Sequence, residues 1–159
     1  MKSFVIIYHY QIKIFILEVN MRSILDVGKD IFYEIKSTGN PKLLLDLYNI
    51  RTKVWKYHII NDEFGTYGPF NDITELDSIL AFELISTAVV IVVNQVDKNL
   101  LTTALSLLLT CIVQSNTTEI PNELLKNWTC ISNKVSAYNF KDITGYWDEI
   151  NKWYRIEEL

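Results

Sequence analysis

The stretch LDSILAFELISTAVVIVVNQVDKNLLTTALSLLLTCIVQ, residues 76–114, decides the fold of this chain. It holds two mostly apolar segments, residues 77–93 and 100–113, which are joined by the polar residues 94–99. Taken as helices, the two segments form a hairpin that is too apolar to face water on all sides. We therefore expect other parts of the chain to cover this hairpin.

Residues 88–93, Ala-Val-Val-Ile-Val-Val, leave two secondary structures open. The run of β-branched side chains would by itself favour a strand. Its continuity with the helical pattern of residues 76–85 favours a helix instead. We expect a helix.

Two helices are predicted before the hairpin. The first begins at Ser23 and is stopped by Ser37-Thr38-Gly39, and the second begins with Asn40 as N-cap and Pro41 at the first helical position. We expect the second helix to run to about residue 60. The core face predicted for the first helix is Ile24, Val27, Ile31, Phe32 and Ile35. The basic residues predicted on the outer side of the second helix are Arg51, Lys53 and Lys56.

Two further helices are predicted after the hairpin. Pro121 begins the first of them, and residues 145–155 form the last. Asp148 and Glu149 would lie in the first turn of the last helix, where carboxylates favour the positive end of the helix dipole. Its predicted apolar stripe consists of Tyr146, Trp147, Ile150, Trp153 and Tyr154.

These segments predict an all-α fold with a single-domain bundle of about six helices, built as three antiparallel hairpins. A short HEAT-like stack of hairpins is the second arrangement, although the pairs show no sequence self-similarity. Residues 1–20 alternate in a strand-like pattern, and we treat them as an N-terminal extension beside a helical domain of residues 21–159. Both Met1 and Met21 are candidate starts of the natural chain.

Composition limits the class of protein. The chain has 159 residues, enough for one core, and 49% hydrophobic residues with 13% aromatics, which argues against disorder. The formal net charge is −4. That charge is the wrong sign for binding through phosphate contacts, so we expect no direct binding of nucleic acid.

The acidic residues are concentrated in one segment. No Lys or Arg occurs between Lys56 and Lys98, whereas seven acidic residues fall there. Within it, the loop of residues 61–71 mixes acidic and aromatic side chains, a combination suited to a binding surface. The alternative is that the aromatics, Phe64, Tyr67 and Phe70, only pin the loop to the core.

The residues that we predict to contact a partner follow from this acidic segment. The predicted contact residues are Asp62, Glu63, Tyr67, Asp72, Glu75 and Asp77, with Asp148 and Glu149 as a second patch. Asp72 and Glu75 also have the spacing of a capping box that would open the next helix. Stabilisation of helix ends is therefore the alternative role for these two residues and for the second patch.

Groups for catalysis are scarce. His58 with Asp62 and Glu63 matches no zinc or hydrolase spacing, and the glycines match no phosphate-binding loop. Cys111 and Cys130 form no metal-binding motif, and we expect both to be buried thiols of a reducing compartment. We expect a protein that is not an enzyme and that uses no metal and no cofactor.

Insertion into a membrane is not expected. Residues 99–118 contain no charged side chain, but polar residues at both ends leave only residues 100–113 as a truly apolar stretch. That length is typical of a buried helix rather than of a helix that spans a bilayer.

The chain ends with YWDEINKWY, residues 146–154. This Trp/Tyr-rich ending, together with the size, the acidic balance and the single helical domain, resembles the small α-helical immunity proteins of bacterial polymorphic and contact-dependent toxin systems. The resemblance is one of whole-chain format rather than of a motif. It implies a cytoplasmic protein that binds and neutralises one cognate toxin without chemistry.

A basic toxin domain, such as a nuclease, is the partner that an acidic surface would suit, because charge complementarity raises association rate and specificity. Two other classes stay open: a viral or phage helical protein that binds a host factor, and a membrane-associated helical hairpin protein.

Overall fold

A computed structural model describes residue 24, residues 26–58 and residues 68–156, with backbone only for residues 53–58 and 68. The described residues form six α-helices and one 3-10 helix, and they contain no strand, so the all-α prediction is confirmed. The strand-like pattern of residues 1–20 lies outside them. The elements are α1 (26–38), α2 (Leu43–His58), the 3-10 helix (Gly68–Glu75), α3 (Ser78–Asn94), α4 (Lys98–Ser115), α5 (Asn122–Tyr138) and α6 (Lys141–Tyr154).

The predicted hairpin is formed by α3 and α4, and both helices begin at an aspartate. The Asp77 carboxylate accepts a hydrogen bond from Leu80 N at 2.9 Å, and that of Asp97 accepts from Asn99 N at 2.9 Å. Each aspartate thereby satisfies a backbone donor that a helix end leaves free. Residues 88–93 are helical, as expected, because their burial against the other helices outweighs the strand preference of valine.

Helix α4 is the centre of the structure. Its residues 103–108 are buried without interruption, and six consecutive residues point in every direction around a helix. It packs against α3, α6, α2 and the 3-10 helix, while α3 packs in turn against α5 and α2. Neighbouring hairpins thus pack with α3 on α5 and α4 on α6, which fits the predicted bundle of about six helices, and the 3-10 helix covers a further side of α4.

The C-terminal hairpin covers the other side of α4 with aromatic side chains. The Trp128 and Trp147 rings lie 4.6 Å apart between centroids, and Tyr154 meets Trp128 edge-on. The indole of Trp153 donates a hydrogen bond to Thr117 O at 2.8 Å. Trp147, Ile150 and Tyr154 are buried, so the predicted apolar stripe of α6 is confirmed.

Helix α6 begins earlier than predicted. It starts at Lys141 rather than at residue 145, because Thr144 N donates to Phe140 O at 2.9 Å and continues the helix through Gly145. The preceding break is shorter than expected, since Asn139 alone, with φ of 42°, ends α5 in the left-handed conformation. Asp148 and Glu149 therefore lie in the middle of α6, and their predicted position in its first turn is wrong.

Three further predictions about single residues are wrong. Val27 is 45% exposed, since the buried face of α1 is formed by Phe32 and Ile35. Cys130 is exposed on the outer side of α5, and only Cys111 is buried. Arg51, which was predicted on the outer side of α2, is buried.

The central role of α4 leads to a test. We expect Leu105→Ala, which removes a fully buried side chain from α4, to lower the free energy of unfolding by about 3 kcal/mol, because the cavity cannot be refilled. Leu125→Ala, at a position on α5 that is 52% exposed, is the matched control and should cost about 0.5 kcal/mol. Urea unfolding followed by circular dichroism measures both. Equal losses would contradict the central position of α4.

Candidate partner-binding surface

The acidic segment is described from residue 68 onward, and its predicted contact residues there lie in the 3-10 helix and just before α3. The 3-10 helix is kinked at Phe70, and its apolar residues Phe70 and Ile73 are completely buried. Phe70 stacks on Tyr48 of α2 with ring centroids 6.2 Å apart. For Phe70, the alternative that the aromatics pin this segment to the core is confirmed. Phe64 and Tyr67 lie outside the described residues.

A buried ion pair also holds this segment. The Arg51 guanidinium donates to both carboxylate oxygens of Asp72, one of them at 3.2 Å, and to the carbonyl of Pro69. The Arg51 and Asp72 side chains are only 9% and 19% exposed. A two-pronged, charge-assisted pair of this kind fixes both distance and orientation. It therefore ties the 3-10 helix to α2.

Helix α1 leaves space for this arginine. Gly28 is buried, and a Cβ atom at this position would lie 3.0 Å from Arg51 Nε. Glycine weakens a helix, and the close approach of the Arg51 side chain explains why α1 has one at position 28. The arginine stands where α1, α2 and the 3-10 helix meet.

Two more of the predicted contact residues lie at the same edge. Glu75 is exposed, and its carboxylate lies 3.3 Å from Lys36 Nζ of α1. Asp77 is exposed and caps α3. The prediction that Asp72 and Glu75 open the next helix is wrong, because Asp72 turns inward to Arg51 and Asp77 takes the N-cap position. We call Glu75 and Asp77, with the inward-facing Asp72, the acidic edge.

The other predicted contact residues fall into two groups. Asp62, Glu63 and Tyr67 lie outside the described residues. Asp148 and Glu149 are exposed on α6, which packs against α4 and α5, so they form a separate patch. Glu149 pairs with Lys152 at 2.7 Å, and this hydrogen bond, together with the nearby carboxylates, raises the pKa of Lys152.

Sequence reasoning overlooked Glu83 as a surface residue. It lies on α3 two turns after the 3-10 helix ends, and it is exposed. The helical period identifies it, because residues 79, 83, 86 and 90 share one side of α3 and all four are exposed. Glu83 extends the negative charge of the acidic edge along α3.

The described part of the chain does not assemble a metal-binding site or an activated nucleophile. No group of three or more His, Cys, Asp or Glu residues there could hold a metal ion. Burial raises the pKa of the Cys111 thiol to about 12, so this group stays protonated and is a poor nucleophile at neutral pH. Among the described helices, none has the length and apolar character needed to cross a membrane.

Comparison with known proteins adds no relative. No protein-family model, no curated protein and no solved structure matches this chain.

The ion pair of Arg51 leads to a prediction about stability. We expect Arg51→Ala to lower the free energy of unfolding by about 3 kcal/mol, because it leaves the partly buried Asp72 carboxylate and the Pro69 carbonyl without their donor. Lys36→Ala breaks an exposed pair with the same segment and should cost less than about 1 kcal/mol. Urea unfolding of both variants measures the difference. Similar costs for the two variants would show that the Arg51 pair does not anchor the 3-10 helix.

The two cysteines should differ in reactivity. Cys130 is exposed, whereas Cys111 is buried with its pKa raised to about 12, so its thiolate is scarce at pH 8. Titration with a chromogenic disulfide reagent at pH 8 should label one thiol quickly in the native protein and the second only after unfolding. The Cys130→Ser variant serves as control and should show almost no fast labelling. Fast labelling of that variant would contradict the burial of Cys111.

Proposed function

We propose that this protein is a non-catalytic protein-binding module, and specifically an immunity protein that neutralises a basic toxin domain through its acidic surface. The observation that carries the proposal is the acidic edge. It presents exposed carboxylates on a segment whose buried side chains are fixed to the core. The absence of any Lys or Arg between Lys56 and Lys98 leaves the negative charge of this part of the sequence uncompensated within the segment.

The chemistry of a basic toxin explains why such a surface would be effective. A nuclease, for example, needs a positively charged cleft in order to hold the phosphates of its substrate. Carboxylates that occupy that cleft exclude the substrate. They are attracted by the same positive potential that holds the phosphates. Complementary charge also speeds the encounter of the two proteins, which favours rapid neutralisation.

The anchoring of the acidic edge supports a binding role as well. Phe70 is fully buried, and Arg51 holds Asp72 and the Pro69 carbonyl, so the backbone below Glu75 is already ordered before a partner arrives. A surface that is ordered in advance loses less conformational entropy on binding. More of the interaction energy is then available as affinity.

The proposed contact surface is narrower than the initial set of acidic residues. Asp72 is engaged with Arg51, and one oxygen of Asp77 caps α3, so these two serve the fold first. Glu75 is exposed, and it pairs with the surface lysine Lys36. The proposed contacts are Asp62, Glu63, Tyr67 and Glu75, with Asp148 and Glu149 as a second patch.

The proposal is tested by charge reversal. The cognate toxin would be sought in an open reading frame next to the gene, and its domain would be copurified with this protein. Asp62→Lys combined with Glu63→Lys should raise the Kd for that domain by about 100-fold or more, because like charges would then meet at the contact. Thermal stability should change little. Binding of the unmodified protein should weaken as the salt concentration rises from about 0.05 M to about 0.5 M.

A matched control separates a local contact from overall charge. Glu119→Lys combined with Asp142→Lys changes the net charge by the same amount at exposed positions that are not among the proposed contacts. This variant should bind nearly as tightly as the unmodified protein. An equal loss of binding in both double variants, unfolding of the Asp62/Glu63 variant, or a partner domain without a basic surface would each overturn the contact assignment.

A further inference from the structure

We draw no further inference here: the strongest candidate, the apolar patch at the turn between α3 and α4, where Val96 is 85% and Leu100 is 37% exposed, carries nothing because no described part of the chain shows what would cover it.

Discussion

The structure depends on the burial of α4. One neighbouring helix cannot bury residues 103–108 of α4 on all sides, because any single partner covers only one side. The chain meets this requirement with α3 on one side, the aromatic α6 on another, and α2 with the 3-10 helix closing the rest. The stacking of hairpins and the position of the acidic segment are consequences of this one constraint. The acidic edge lies where it does because the short helix that carries Asp72 and Glu75 covers one side of α4.

The parts of the fold that could be predicted are those that depend on residues close together in the sequence. The α3–α4 hairpin follows from two apolar segments and a polar joint, and the stop of α1 follows from Gly39, which has φ of +66°. The stripe of α6 follows from the helical period. The start of α6 could not be predicted, because Asn139 takes the left-handed conformation in a single residue and leaves no need for a longer break. Local patterns locate elements, but they do not say how few residues a turn will use.

The parts that could not be predicted depend on contacts between distant residues. Arg51 has the spacing of a surface residue on α2, and its burial requires a carboxylate twenty-one positions away together with a glycine on α1. In the same way, Asp72 has the local pattern of a helix cap, but it pairs with Arg51 and Asp77 caps α3 instead. The roles of the individual carboxylates in the candidate site are therefore set by tertiary structure, which neighbouring residues in the sequence do not determine.

The ion pair between Arg51 and Asp72 has one more consequence, which concerns how the sequence can change. Together with the bond from Arg51 to the Pro69 carbonyl, it closes the chain on itself around residues 52–68, so both ends of that segment are held by contacts that do not involve the residues between. Because the cost of closing a loop rises only slowly with its length, substitutions and insertions inside such a segment disturb the rest of the fold little. The molecule can thus diversify the stretch that carries Asp62 and Glu63 while it keeps the same helical scaffold.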